Sequence, residues 1–436
     1  GDYLTAIGRQ ALYNNTTASY NTAVGYQGLY ANTTGNGLAS LGFQALYTNT
    51  TGSNNNAVGY KTLYSNTTGG SNTAVGDRAL QANTTASNNT AVGYQAGYAN
   101  TTGAELTAIG RKAALSNTTG NYNTAIGLNS LYANTTGSSN SSLGDGALFS
   151  NTTASNNTAV GYQSLYSSTG DGYQTAVGAQ SLYSNTTGAF NGAFGRLALY
   201  SNTTGSYNLA LGYVALQNNT TASRNTAVGY QAGYSNTTSE AGVFVGYRAG
   251  WNSTGSLACF VGDNAGQNST GTSNTLIGQQ AGYLVSSGAN NTILGRYNGN
   301  QGGLDIRTSS NNIVLSDGDG NPRGYYHGGL NSPLWVFKTP TTDQNAMHID
   351  NTASSNPYGP AIRFTAAAPN DTTRYFLKGV DSSADRFFIY SNGNVVNTNN
   401  SYGAISDVKL KENIADASSQ WDDIKALTVR KYSMKA

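Results

Sequence analysis

Side chains that could carry out catalysis or bind a metal are scarce in this chain of 436 residues. His327 and His348 are the only histidines and Cys259 is the only cysteine. This argues against a histidine-based metal site, a Ser-His-Asp triad, a disulfide framework and a thiolate metal site. Glu105 and Glu240 are the only glutamates in the first 300 residues, whereas a polysaccharide depolymerase needs paired carboxylates. We therefore expect no metal, no cofactor and no metabolic activity.

The segment 317–321, Asp-Gly-Asp-Gly-Asn, spaces its oxygen ligands like the opening of a calcium-binding loop. However, Pro322 follows directly, and Gly328 stands where such a loop has its closing glutamate. The same segment is typical of a tight turn. We therefore predict a hairpin between residues 313–315 and 324–326, and no calcium site.

Composition limits the architecture and the partners. Only 10% of the residues are charged, and the net charge of +2 gives no reason to expect nucleic acid as a partner. The many glycine and small polar residues argue against a thick globular core. No apolar run reaches about 18 residues, so we expect no membrane insertion. Because the chain begins at Gly1 without a methionine or a signal-like segment, we expect it to be a fragment.

A repeat organises the first 300 residues. A small-aliphatic-glycine motif occurs eighteen times; the spacing of successive motif glycines is seventeen up to Gly246 and then sixteen, sixteen and seventeen. The threonine and valine in the motif favour strands, and the Asn-Thr-Thr-Gly/Ala stretch that follows favours a turn. We predict that each unit is two short strands and two bends, forming one coil of a parallel β-solenoid. The motif glycines are Gly8, Gly25, Gly42, Gly59, Gly76, Gly93, Gly110, Gly127, Gly144, Gly161, Gly178, Gly195, Gly212, Gly229, Gly246, Gly262, Gly278 and Gly295.

Two positions of the unit change together. In the first fourteen units the residue two before the motif glycine is Ala or Ser, usually with Leu four after the glycine. In the last four units the first position holds Phe244, Phe260, Leu276 and Ile293, and the second holds Gly. Close packing requires that volume lost at one site is regained at a neighbour, so we predict that the two columns touch.

Each unit buries too few large side chains to offset the ordering of its backbone, so we expect three chains to share this interior as a coaxial homotrimer.

Two further columns accompany the turns. Asn stands seven residues after the motif glycine in thirteen of the first fourteen units, and Thr follows in all fourteen. We predict a turn ladder of stacked amides and hydroxyls; the alternatives are Asn-x-Thr glycosylation and ice binding by flat threonine columns. Tyrosines such as Tyr13 and Tyr30, five after the glycine, favour packing with a solvated hydroxyl, with sugar stacking as the alternative.

The repeat unit resembles the head repeats of trimeric autotransporter adhesins. The resemblance rests on segments such as Thr5-Ala6-Ile7-Gly8 and Asn123-Thr124-Ala125-Ile126-Gly127, and it covers roughly residues 3–300. It implies a trimeric, left-handed parallel β-roll. The period of seventeen, as from Gly8 to Gly25, is longer than is usual in that family.

The segment Ser406-Asp407-Val408-Lys409-Leu410-Lys411-Glu412-Asn413-Ile414 closely resembles the start of the intramolecular chaperone domain that ends endosialidases and many phage tail spikes and fibres. The resemblance implies a domain that trimerises, guides folding, and then severs itself at or beside the junction of Ser406 and Asp407. It implies Ser406 as the nucleophile and Lys411 as its activating amine. This chemistry is reasonable because a desolvated lysine with a lowered pKa can take the proton of a hydroxyl.

Together these features predict an all-β protein in four parts. Residues 1–296 form a β-solenoid shaft of eighteen units, and residues 297–340 form a neck with a hairpin. Residues 341–405 form a small β domain, because short aromatic runs alternate there with Gly, Pro and Asn clusters. Residues 406–436 are the first part of the chaperone domain.

The resulting functional prediction is a structural tail-fibre protein of a bacteriophage, extracellular and part of the virion. It is a homotrimer that joins other tail or fibre proteins on its N-terminal side and binds a host-surface glycan or protein. Arg374, Tyr375, Phe387 and Tyr390 are the predicted receptor contacts. The alternatives are a bacterial trimeric surface adhesin or extracellular fibre and, third, a depolymerase tail spike.

Overall fold

The computed structural model describes residues 1–170, 172–328, 334–337, 375–380, 385–390 and 395–397, and these residues form strands and turns without a helix. The chain divides into two compact units, residues 1–346 and 347–436. The first unit is dominated by eighteen three-residue strands at the spacing of the sequence repeat, which confirms the predicted parallel β-solenoid. These strands are β1 Thr5–Ile7, β2 Thr22–Val24, β3 Ala39–Leu41, β4 Asn56–Val58, β5 Thr73–Val75, β6 Thr90–Val92, β7 Thr107–Ile109, β8 Thr124–Ile126, β9 Ser141–Leu143, β10 Thr158–Val160, β11 Thr175–Val177, β12 Gly192–Phe194, β13 Leu209–Leu211, β14 Thr226–Val228, β15 Val243–Val245, β16 Cys259–Val261, β17 Thr275–Ile277 and β18 Thr292–Leu294.

Each unit contributes one strand and not the two that we expected. Consecutive strands pair in parallel with every repeat position opposite its equivalent, as Ala6 lies opposite Ala23. We call one whole coil, strand and turns together, a rung. Outside its strand each rung is a series of turns whose amides still donate to a neighbouring rung, as Leu29 N does to Ala45 O at 3.1 Å. A second strand is prevented because residues in this part have positive φ, for example 52° at both Gln27 and Leu29, which interrupts an extended backbone.

The interior consists of the two columns that vary together. Apart from Ala6 in the first unit, the alanine column (two residues before each motif glycine) and the leucine column (four after it) are buried. A methyl group at Gly266 would lie 2.5 Å from Cδ2 of Phe260, and one at Gly282 would lie 2.7 Å from Cδ1 of Leu276. The predicted contact between the columns is therefore confirmed for these rungs. At the last unit, by contrast, a methyl at Gly299 would meet Val285.

This interior is closed within one chain. Ala23, Leu29 and Phe260 are each 0% exposed in the single polypeptide. The columns that we expected three chains to share are therefore already covered, and any contact between copies must use other side chains.

Asparagine amides form two further buried columns. In the first, seven residues after the motif glycine, Asn49 Nδ2 donates to Asn32 Oδ1 at 2.9 Å and to the carbonyl of Gly52 at 2.9 Å. In the second, four residues before the motif glycine, Asn72 Oδ1 accepts from the amide of Asn89 at 3.0 Å. Burial of so many amides is tolerated because most of them bond to a neighbouring rung. The predicted amide ladder is confirmed, but it lies inside the solenoid.

Within the first fourteen units, asparagine is replaced once in the first ladder. Ser168 takes the place of asparagine, and its hydroxyl does not reach the neighbouring amides. As a result Ser168 Oγ and Asn151 Oδ1 are buried without a hydrogen-bond partner. The length of the asparagine side chain is thus what spans the gap between rungs.

The solenoid continues beyond residue 296, so our predicted end of the shaft is too early. Strand β21 (Ile313–Ser316) pairs in parallel with β18 and forms one more rung. The regular spacing of the sequence does not reveal this rung, because Thr292 and its partner Ile313 are separated by more residues than one repeat contains. The longer step accommodates a small hairpin of β19 (Asn300–Gln301) and β20 (Leu304–Asp305).

The predicted hairpin follows the last rung. Strand β22 (Pro322–His327) runs antiparallel to β21, with Ile313 opposite Tyr326 and Leu315 opposite Gly324. Strand β23 (Leu334–Phe337) then pairs antiparallel with β22. Parallel stacking therefore ends in an antiparallel sheet.

The second unit contains a three-stranded antiparallel sheet. Its strands are β24 (Tyr375–Val380), β25 (Asp385–Tyr390) and β26 (Val395–Asn397), in that order. Two of these strands coincide with aromatic runs that the sequence marked as strands.

Candidate functional site

The residues predicted from the chaperone resemblance, Ser406, Asp407 and Lys411, lie outside the described residues, as does Arg374. Their roles therefore stay predictions.

The other predicted receptor contacts lie on β24 and β25. Tyr375 opens β24 directly opposite Tyr390, which ends β25. Phe387 pairs with Gly379 on one side and Asn397 on the other, and its side chain is half-buried. The sheet thus places the backbones of Tyr375 and Tyr390 side by side.

The calcium-like segment uses its carboxylate within the hairpin. Asp317 Oδ1 accepts from the amide of Asn321 at 2.8 Å, and Oδ2 accepts from Nε of Arg323 at 2.8 Å. Burial works to raise the pKa of Asp317, but these hydrogen bonds outweigh it and lower the pKa to about 2. The residues that the structure describes include no group of three His, Cys, Asp or Glu able to hold a metal ion.

The two shaft glutamates cannot act as a glycosidase pair. Glu105 is exposed just before β7, and Glu240 lies just before β15, where it forms an ion pair with Arg224. Eight rungs at about 4.8 Å each separate the two carboxylates by roughly 40 Å, whereas glycosidases keep theirs within about 10 Å. These two side chains therefore do not support the depolymerase alternative.

The asparagine and threonine columns of the turns are occupied by internal bonds. Asn32 and Asn49 are 0% exposed, so their amides are not accessible acceptors for a glycan in the folded shaft. The threonine after each asparagine also bonds internally, as Thr50 Oγ1 donates to Thr67 O at 3.1 Å. These bonds favour the turn ladder over glycosylation and over ice binding by this threonine column.

The aromatic columns stack on themselves. Tyr47 and Tyr64 have ring centroids 5.2 Å apart and planes within 4°, and Tyr166 and Tyr183 are stacked at the same centroid distance. Inside such a ladder each ring face is covered by the next ring, so a sugar could stack only at the ends of a ladder. This arrangement favours the packing interpretation of the tyrosines.

The most extensive exposed apolar feature among the described residues is on the solenoid strands. Their middle residue belongs to the buried alanine column, so the first and third residues point outwards. We call these two outward columns the strand face. Its third position, the aliphatic column, is Val, Ile, Leu or once Phe in every repeat strand. It is exposed in twelve of the eighteen strands and half-buried in six; Ile7 is 59% and Val92 38% exposed.

The first position of the strand face, the threonine column, is Thr in eleven of the eighteen strands. Thr side chains there are mostly half-buried, as in Thr107 and Thr124. The face is thus a flat array of parallel strands with one apolar and one weakly polar column. The array includes the half-buried free thiol of Cys259 in its first column, and it can pack against another surface of the same period.

No helix among the described residues has the length and apolar character needed to cross a bilayer. The chain matches no family model, no curated protein and no solved structure.

Proposed function

We propose that the chain is the shaft and tip of a homotrimeric fibre, and that its copies pack along the strand face. The aliphatic column, which is exposed in twelve of the eighteen strands and half-buried in the other six, carries this proposal. Soluble monomers rarely expose a continuous apolar strip of this length. At roughly 60 Å² of exposed surface per side chain, the column offers on the order of 1,000 Å² of apolar surface per chain, above the roughly 300–600 Å² of the largest apolar patch on a typical monomer.

A second copy is the partner that best fits this face. The outward side chains recur once per rung, about every 4.8 Å, and only a surface with that period can stay in contact along eighteen rungs. Another copy of the chain has the same period and the same apolar column. The number three follows from the resemblance to trimeric adhesin heads and trimeric phage fibres.

The biological role that we propose is host attachment by a bacteriophage tail fibre. A long shaft of repeats suits a protein that holds a binding tip away from a particle. The tip would be the second unit, with Arg374, Tyr375, Phe387 and Tyr390 as receptor contacts. Binding of labelled protein to host cells, lost on replacement of Tyr375 and Tyr390 by alanine, is the observation that would support this role.

Native mass spectrometry of the full chain is expected to give three copies per particle. Replacing both Val92 and Ile109 by glutamate places carboxylates on adjacent rungs of the aliphatic column. We expect the trimer fraction to fall about tenfold or more, because buried like charges oppose association.

Replacement of Thr102 and Thr119 by glutamate is the matched control. These threonines are exposed at equivalent positions on the turns of adjacent rungs, away from the strand face. This control should remain trimeric with unchanged circular dichroism. A monomeric parent chain, or equal loss of trimer in both variants, would refute packing along the strand face.

Self-cleavage at the chaperone junction has its own test. We propose that a chain extended through its complete chaperone domain is cut beside Ser406, and that Ser406→Ala or Lys411→Ala leaves trimers assembled but uncut. Denaturing mass spectrometry of the purified trimer reads the chain length directly. If the alanine variants are cut as fast as the parent, the assigned roles are wrong.

A further inference from the structure

The strand face departs from its repeat pattern at several rungs, and in two adjacent strands, β12 and β13, the departures lie next to one another. In β12 and β13 the threonine column holds Gly192 and Leu209, and the aliphatic column holds Phe194, its only aromatic member. Phe194 is 38% exposed and Leu209 40% exposed. The neighbouring strands β11 and β14 return to the usual Thr-Ala-Val.

The three side chains form one fitted cluster. A methyl group at Gly192 would lie 3.1 Å from Cδ1 of Leu209 and 3.4 Å from Cε2 of Phe194. The phenyl ring and the leucine therefore fill the space that a threonine side chain occupies in most other rungs. The outcome is a continuous apolar patch of Phe194 and Leu209 that covers Gly192.

A repetitive interface needs such a feature. Elsewhere the aliphatic column holds only Val, Ile and Leu, so sliding one copy by one rung replaces each contact with a nearly identical one. Regular sheets with uniform faces specify their register weakly for this reason. A unique large aromatic side chain removes the degeneracy, because a copy displaced by one rung no longer places its phenyl ring level with the phenyl ring of its neighbour.

We propose that the cluster of Gly192, Phe194 and Leu209 sets the axial register of the copies in the assembled fibre. In register, the phenyl rings of all copies lie at one level and can contact one another. Displacement by one rung instead places each ring level with Val177 or Leu211 of the neighbouring copy. The inference rests on the proposed packing along the strand face.

Disulfide formation between copies can measure the register. In a Cys259→Ser background, one chain carries Val261→Cys and a second, distinguished by a size tag, carries Ile277→Cys; the two are co-expressed. These sites are equivalent positions on adjacent strands. A disulfide needs Cα atoms within about 7 Å, so copies in register give same-site disulfides and copies slipped by one rung give mixed disulfides.

With the natural cluster, same-site disulfides should predominate. Reverting the cluster to the common pattern, with Gly192→Thr, Phe194→Val and Leu209→Thr together, is expected to raise the mixed fraction about fivefold or more, the change that a modest loss of register preference produces. A matched control, Thr107→Ser with Ile109→Val, alters the same face without touching the cluster and should leave the mixed fraction low.

Two different outcomes would overturn the inference, and only one of them would also overturn the proposed packing along the strand face. If the reverted chain keeps its same-site disulfides and the mixed fraction does not rise, the copies pack on this face but another element sets their register. If neither chain forms any disulfide between copies, the strand face is not the contact, and the proposed assembly fails as well. The same-site disulfides also report that the reverted chain folds.

Discussion

Replacement of Gly110 by alanine is expected to destabilise the shaft by about 3 kcal/mol or more. Gly110 has φ of 128°, where residues with a side chain are strongly disfavoured, and a methyl group there would lie 2.5 Å from the carbonyl oxygen of Gly127 on the next rung. Backbone strain and a steric clash with an adjacent backbone therefore act together. Neither can relax without separating two rungs.

Hydrogen exchange localises this effect better than a global melt, because repeat arrays need not unfold as one unit. The amide of Gly127 donates to the carbonyl of Ile109 at 2.8 Å, and its protection should fall in the variant. Gly318→Ala is the control, since Gly318 is exposed in the hairpin turn with nothing within 4 Å of an added methyl. Equal protection in the two variants would show that the rung tolerates a side chain at the motif glycine.

The repeat predicts the solenoid because period and chemistry agree at every unit. The constant spacing puts each glycine over an equivalent glycine and each small or aliphatic residue over its counterpart, which is the register observed. The hairpin of β21 and β22 was also predictable, because the Asp-Gly-Asp-Gly-Asn turn separates two apolar runs.

The path within each rung could not be predicted from residue preferences. Leucine rarely adopts positive φ, yet Leu46 has φ of 52° and is completely buried. Packing of the leucine column overrides the local preference, and this closes the interior within one chain. The burial of Asn49 is equally unexpected for an amide, and it becomes favourable only when the neighbouring rungs supply the same partner.

The strand face could have been found from the sequence by alternation. Three residues such as Thr107, Ala108 and Ile109 in one strand point alternately out, in and out, so a buried small alanine places the aliphatic residue outside. Strand propensity alone does not show which side chains of a strand point into the interior. The last rung was not predicted for another reason. The hairpin inserted after Gly295 breaks the regular spacing of the repeat, although the asparagine ladder continues through Asn312.

The largest single losses in the interior are expected for Phe260→Ala and Gly266→Leu. Phe260 is 0% exposed, and truncating such a side chain typically costs about 3–5 kcal/mol. In Gly266→Leu the new side chain would collide with the ring of Phe260, which lies 2.5 Å from the first added carbon. The backbone itself accepts leucine there, because Leu29 occupies the equivalent position with φ of 52° against 56° at Gly266.

Combining Phe260→Ala with Gly266→Leu recreates the Ala and Leu pair of the other rungs and should be more stable than either single variant. The coupling energy, measured by denaturation of all four proteins, is expected to be on the order of 2 kcal/mol or more, since each change supplies the volume that the other requires. Phe260→Ala combined with Leu63→Ala provides the control, because these sites lie many rungs apart and their effects should add. Additive losses in the 260–266 pair would mean that the two columns relax independently, and that the exchange of Phe for Ala and Gly for Leu along the shaft has a cause other than packing.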